Sequence, residues 1–247
     1  METLIYITDI TRMGGRRVCV AGVTKDGVCV RPVLPEGIFE PWLYQNGSVV
    51  VRPYAKVKLD LIDHIPKPPH TEDWDFDPDS LQSNGLINED KRERFLNWIL
   101  DPCVADIFGT DIHDDHGFYL QEGEGNRSLG TIKVKMIVRF DHNCNYGSWD
   151  YRLHFIDAEE CHYQLKVTDL GLRYYVDHLR KTEEIDCFEI GRRLTAQLRA
   201  SQVYLRIGLA RKWHPDHDQP QNRCYLQITG VYTFPDYLEG RCFADFV

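Results

Sequence analysis

Residues 16–33 read RRVCVAGVTKDGVCVRPV, in which two valine-rich runs flank Asp26 and Gly27. Such runs are typical of β-strands, and Asp-Gly between them is a strong hairpin signal because the turn needs a positive φ that glycine adopts at low cost. Further strands are predicted at 3–10, 49–51 and 55–62. Four or more short strands with close turns favour a small barrel or sandwich.

The rest of the chain predicts a helix, a second series of strands and two more helices. The helices are placed at 89–100, 170–180 and 188–199 by apolar spacing, with Asn88 and either Thr168 or Asp169 as caps. The strands are placed at 131–140, 151–157, 162–167, 203–212 and 224–234. We expect a mainly β (α+β) chain of two small barrels with a few packed helices, divided into residues 1–125 and 126–247.

Two segments are predicted to be loops. Residues 66–79 are rich in proline, acids and aromatics, a composition that favours an ordered loop or connector over a helix or a central strand. Residues 111–130 combine glycines with acids and also read as a loop.

Composition narrows the class of protein. The formal net charge of −9 argues against a uniformly positive surface that coats DNA, but it allows a local basic groove. No apolar stretch is long enough to span a bilayer, and the first residues lack the pattern of a secretory signal, so a cytoplasmic protein without membrane contact is expected. Eight cysteines without a paired spacing predict buried thiols in a reducing compartment.

Two histidine pairs contain residue types that bind metals, namely His113 with His116, and His214 with His217 and Asp218. Neither spacing matches a known site, and loop residues have no enforced geometry, so polar surface loops are the favoured interpretation. The sequence also lacks the GxSxG, HExxH, P-loop and dinucleotide-binding motifs. We therefore predict no catalytic residue, metal or cofactor, and keep a metal-dependent enzyme as an alternative.

Residues 203–213, VYLRIGLARKW, place Tyr204 and Arg206 on one face of a predicted strand, with Arg211 and Trp213 towards its exit. Arginine beside aromatic rings is suited to bind phosphates and stack on bases. Gly208 in mid-strand indicates a bend or the close approach of a ligand. An equally weighted alternative is an arginine paired within the barrel and aromatics in the core.

A second basic segment ends the first predicted strand. Residues 8–17 lead into a glycine-containing turn with Arg12, Arg16 and Arg17, where arginines and backbone amides can hold an anion. The simpler alternative is a hairpin tip made soluble by arginine.

Several segments together carry a family resemblance. They are ITRMGGRRVCVAG at 10–22, VCVRPV at 28–33, PPHTEDW at 68–74, YLRIGLAR at 204–211 and YLQITGVYTFPD at 225–236. With these segments the chain resembles, over nearly its whole length, the dual OB-fold family of prokaryotes. The resemblance implies two OB-type barrels, binding of a nucleic acid or nucleotide, a role in bacterial conflict or antiviral systems and no established catalytic residues.

The leading hypothesis is a non-catalytic binding module for single-stranded nucleic acid or a nucleotide-type ligand. The predicted ligand-binding residues are Arg12, Arg16, Arg17 and Arg31 in the first barrel and Tyr204, Arg206, Arg211 and Trp213 in the second. Two alternatives stay open. One is an enzyme that acts on nucleic acid or nucleotides with a metal near the histidine pairs, and the other is a protein-interaction scaffold, favoured by the acidic balance and by residues 66–79.

Overall fold

The computed structural model describes residues 1–145, 147–212 and 222–247. The first barrel is built from residues 2–86, with the strands β1 (Glu2–Arg12), β2 (Arg17–Val23), β3 (Cys29–Val33), β4 (Ile38–Phe39), β5 (Tyr44–Gln45), β6 (Ser48–Val49), β7 (Ala55–His64) and β8 (Asp73–Leu86). Neighbouring strands follow the order β1-β7-β8-β3-β2, and β2 pairs back onto β1 to close the barrel. β3 and β8 are parallel, and the other pairs in this ring are antiparallel.

The later elements are α1 (Glu89–Trp98), β9 (His113–Asp114), β10 (Phe118–Gln121), β11 (Leu129–Lys133), β12 (Met136–Asn145), β13 (Ser148–Ile156), β14 (His162–Val167), α2 (Leu170–Lys181), α3 (Cys187–Arg199), β15 (Gln202–Leu209) and β16 (Arg223–Phe234). The main sheet has the order β11-β15-β16-β14-β13-β12. β11 and β12 act as one bent strand. Val134 N donates to Val203 O (2.9 Å) and Lys135 N donates to Ile156 O (3.0 Å), so the bend closes the second barrel.

Both barrels share one topology. In each, the first strand pairs with the fourth strand at its start and with the second strand at its end, while the third and fifth strands run parallel. This is the five-stranded Greek-key arrangement of OB barrels. The prediction of a mainly β chain with two OB-type barrels is confirmed, and the division at residues 125 and 126 stays a prediction.

Side chains alternate between buried and exposed positions along the strands, and the buried ones form the two cores. In β7, Ala55, Val57, Leu59 and Leu61 are buried and the residues between them are not. Around the second barrel, α3 packs along β12 with a buried stripe of Ile190, Leu194 and Leu198, and α2 buries Leu172, Val176 and Leu179. Each fully buried aliphatic side chain contributes roughly 1.5–3 kcal/mol.

The loop prediction for residues 66–79 is wrong from Asp73 onward. Asp73–Leu86 is strand β8, which pairs with β7 on one side and with β3 on the other. Phe76 points into the core while Asp75 and Asp77 face outward. The segment therefore alternates between buried and outward positions as a strand does, with acidic residues on the outward face. Pro78 lies where the register with β7 shifts, and it therefore interrupts no regular pairing. Residues 111–130 likewise contain the short strands β9 and β10.

The eight cysteines are all free. The prediction of buried thiols is confirmed for Cys103 and Cys224 and is wrong for Cys144 and Cys161, which are exposed. Within the described part of the chain, no helix has the length and apolar character needed to cross a membrane.

Candidate functional site

The barrels meet through a buried polar network. A register shift in β1 at Thr8 turns Asp9 towards the second barrel, where its carboxylate accepts a hydrogen bond from Arg206 Nε at 2.9 Å. Thr8 Oγ1 donates to the same carboxylate at 2.6 Å, and Thr229 Oγ1 donates to its other oxygen. Arg206 Nη1 donates to Thr131 Oγ1 at 2.9 Å. Arg206 is 1% exposed, and its ion pair with Asp9 is a direct contact between the two barrels.

A second network lies beside the first. Arg31 Nε donates to Asp73 Oδ1 at 2.6 Å, and Arg211 Nη2 donates to the other oxygen of that carboxylate at 2.6 Å. Arg31 Nη1 donates to Ser128 Oγ at 3.1 Å. Arg31 Nη2 has no hydrogen-bond partner among the described residues and lies 3.8 Å from Glu72. The carboxylate of Asp73 thus accepts hydrogen bonds from two guanidinium groups.

The surroundings keep these arginines charged. Burial opposes the charge of Arg206, but the carboxylate of Asp9 raises its pKa above the usual value. Burial likewise opposes the charge of Arg31, while the negative groups around it, including Asp73, raise its pKa. Nearby, burial and the positive charges of Arg31 and Arg211 lower the pKa of His70 to about 2, so that imidazole is neutral at pH 7. Burial raises the pKa of the Cys19 thiol.

An open cleft lies along these networks, formed by adjoining cavities of about 230 and 320 Å³ that share Met13, Cys19 and Arg211. We call it the inter-barrel cleft. Its polar walls include Arg12, Arg17 and Arg31 from the first barrel, and Thr168, Arg211 and Gln227 from the second.

The walls of the inter-barrel cleft are cationic. Among the described residues that line it, four are basic (Arg12, Arg17, Arg31 and Arg211) and one is acidic (Asp9). Asp9 is already paired with Arg206 behind the wall. The carboxylates of Asp73 and Asp177, which pair with Arg31, Arg211 and Arg12, do not line either cavity.

The cleft unites four of the predicted ligand-binding residues. Arg12 Nη1 lies 3.1 Å from Asp177, with the guanidinium 5.6 Å from the centroid of the Tyr174 ring. Arg17 Nε donates to Gly14 O at 3.1 Å. Arg16 is exposed in the turn at φ 62° and lines neither cavity. The basic turn therefore contributes two of its three arginines to the cleft.

Tyr204 and Arg206 do not line the cleft. Tyr204 is fully buried against Leu96 and Tyr232, and its hydroxyl donates to Asn97 Oδ1 at 3.0 Å. The structure places Tyr204 in a core cluster and Arg206 in an ion pair, as in the alternative interpretation, but the partner of Arg206 is Asp9 of the other barrel. A Cβ at Gly208 would come within 2.7 Å of Thr229 and 2.9 Å of Leu129, so close packing of the chain itself accounts for this glycine. Trp213 lies outside the described residues.

Sequence reasoning missed several groups around the cleft. Thr168 was considered only as a helix cap, and Gln227 was noted only as part of the family-like stretch at 225–236. The two residues come together because β14 and β16 are parallel neighbours. Asp73, which joins Arg31 to Arg211, falls in the segment predicted to be a loop. Its one sequence signal is its position within the family-like stretch at 68–74.

The histidine pairs gain no support as metal sites. His113 Nε2 lies 2.9 Å from Glu124, while His116 is exposed and lies 3.7 Å from Asp115. In residues 1–145, 147–212 and 222–247, no group of three or more histidine, cysteine, aspartate or glutamate side chains is placed to hold a metal ion. His214, His217 and Asp218 lie outside the described residues.

Two barrels of OB topology that enclose a cleft between them define an OB-type binding module. The chain belongs to the family described as the dual OB-containing domain, whose model matches residues 3–231. A search of curated proteins returned no match to the chain.

Proposed function

We propose that this chain is a non-catalytic binding module for single-stranded nucleic acid or a nucleotide, and that a phosphate of the ligand lies in the inter-barrel cleft. The observation that carries the proposal is the set of four arginines that line the cleft. Arg31 and Arg211 share the one carboxylate of Asp73, Arg12 pairs with Asp177, and Arg17 has no ion pair among the described residues. Guanidinium groups bind phosphate through planar, charge-assisted hydrogen bonds, and a partly enclosed site screens them less than bulk water.

The position of the cleft supports the same conclusion. OB barrels bind ligands across the face of their second and third strands, beside the loop that joins the first two strands. In the first barrel, Arg17 and Cys19 on β2, Pro32 on β3 and Met13 in that loop line the cleft. Its second wall comes from the second barrel, including Arg211 just after β15. Both barrels therefore contribute to one site.

The net charge of −9 is compatible with this role because phosphate binding depends on the local field. A function in a prokaryotic conflict or antiviral system, a protein partner in such a system and a cytoplasmic location are predictions from the resemblance and the sequence. Segment 66–79 was one of the two arguments for a protein-interaction scaffold. That argument is weakened because His70, Glu72 and Asp73 of the segment are buried.

The test is a salt titration of binding, with fluorescently labelled single-stranded DNA, single-stranded RNA and mononucleotides as probes. The informative variant is Arg211→Gln, because this side chain is 45% exposed and lies at the junction of the two cavities. We expect its affinity to fall about tenfold and the slope of log affinity against log salt to decrease by about one.

Arg192→Gln is the matched control. Arg192 is exposed on α3 and is paired with one carboxylate, that of Glu189, as Arg211 is with Asp73. We expect its affinity to stay within about twofold of the wild type. The proposal is overturned if no probe binds at low salt, or if Arg211→Gln binds as the control does.

A further inference from the structure

One row of outward-facing side chains leads away from the inter-barrel cleft over the second barrel. The strand register places Arg152 of β13 opposite Lys166 of β14, and Lys166 beside Gln227 of β16. Cross-strand neighbours lie on the same face of a sheet, with strands about 4.8 Å apart. Gln227 also lines the cleft, so the row begins at the cleft wall.

The face that carries this row is open to solvent. Along β14, Tyr163, Leu165 and Val167 are buried while Lys166 and its outward neighbours are exposed. The Arg152 side chain is 40% exposed. These strands are the second and third of the second barrel, so the row crosses the sheet face that faces away from the core.

The charge along the row changes from positive near the cleft to negative at the far end. Lys166 has no ion pair among the described residues, and Arg152 is paired with Asp150 at 2.6 Å. The next position, opposite Arg152, is Asp141. Its carboxylate lies 3.0 Å from Arg139 and 2.8 Å from His154, and it ends the row with an acid. The cationic part therefore runs from the cleft over Lys166 to Arg152 and stops there.

We propose that the ligand of the cleft is a single-stranded nucleic acid, and that its backbone continues from the cleft across Lys166 and Arg152. This inference rests on the proposed function and narrows its ligand from nucleotide or polymer to polymer. Lys166 and Arg152 lie roughly 5 and 10 Å beyond Gln227, at one and two strand spacings. A mononucleotide with its phosphate in the cleft has no phosphate at those positions, whereas a polymer has.

The experiment compares an oligonucleotide with a mononucleotide on the same variants. Lys166→Gln combined with Arg152→Gln is expected to weaken oligonucleotide binding about tenfold. For this variant, the slope of log affinity against log salt is expected to decrease by about one to two. This is about one for each phosphate that no longer has a cationic partner. Mononucleotide affinity is expected to stay within about twofold, because the cleft is intact. The control is Arg192→Gln with Arg193→Gln, which removes the same charge from exposed positions on α3.

Each outcome decides the inference. Equal loss of oligonucleotide binding in the row variant and the control overturns it, as does unchanged oligonucleotide binding in the row variant. A wild type that binds mononucleotides and gains no affinity from a longer chain also overturns it. In these three cases the proposed function stands as long as Arg211→Gln still weakens binding. If the wild type binds no probe at all, both proposals fail together.

Discussion

Asp9 and Arg206 lie 197 residues apart in the chain and form an ion pair of 2.9 Å, with side chains that are 3% and 1% exposed. Removal of either partner leaves an uncompensated charge between the barrels. We expect Arg206→Met to lower the free energy of unfolding by about 3–5 kcal/mol. Urea unfolding measures this loss.

The double variant Asp9→Leu with Arg206→Met tests whether an unpaired buried charge causes this loss of stability. Since it removes both charges, we expect it to be more stable than Arg206→Met alone, by about 1–3 kcal/mol. A double variant no more stable than the single variant would show that the burial of an unpaired charge is not the cause of the loss.

Phe243 packs in the core of the first barrel although it follows the last strand of the second. It is 1% exposed, and its ring centroid lies 6.2 Å from those of Tyr44 and Tyr174. We expect Phe243→Ala to cost about 3–5 kcal/mol of stability in thermal or urea unfolding. Phe188→Ala makes the same chemical change at a side chain that is 82% exposed, and its expected effect is within about 0.5 kcal/mol. Similar losses in both variants would contradict this packing role.

Asp169 couples stability to pH. Burial, with a smaller contribution from Asp9, raises its pKa from 3.8 to about 7, although Leu172 N and Val231 N donate to the carboxylate. The folded state therefore binds more protons than the unfolded state between those pH values. Stability falls as pH rises through this window, and the penalty is complete above pH 7.

The variant Asp169→Asn removes this titration. We expect the stability of the wild type, relative to the variant, to fall by about 3–4 kcal/mol between pH 4 and pH 8. Other groups, including His70, titrate in both proteins and cancel in the difference. Unfolding curves measured across this range test the prediction, and parallel pH profiles would rule it out.

Gly22 of β2 packs tightly against the backbone of β1. A Cβ at this position would come within 2.3 Å of the carbonyl oxygen of Tyr6, which belongs to the backbone and cannot give way cheaply. We expect Gly22→Ala to destabilise the protein by about 2 kcal/mol or more. Gly14→Ala is the control, since its Cβ would meet no atom within 4 Å, and a small effect of either sign is expected there. Equal melting temperatures for the two variants would contradict the close approach.

Local patterns were sufficient for much of the fold. The hairpin at 16–33, the strand series on both sides of α1 and the helices α2 and α3 follow from side-chain periodicity, which depends only on near neighbours in the chain. The cap of α2 was predicted as Thr168 or Asp169 from the preference of both residue types for the N-cap position, and the structure has Asp169 there. β8 was missed because its pairing with β3 and β7 outweighs a composition of acids and proline that locally favours a loop.

The sequence alone determined which residues carry positive charge and flat rings, and that they cluster near positions 12–17 and 204–213. Only the tertiary structure decided that Arg12, Arg17, Arg31 and Arg211 line one cleft while Arg206 is buried beneath it. The physical reason is that strand pairing and the contact between the barrels decide which side chains are buried, and a buried guanidinium group needs a carboxylate partner. Asp9 and Asp73 reach Arg206 and Arg211 from the other barrel, across most of the length of the chain.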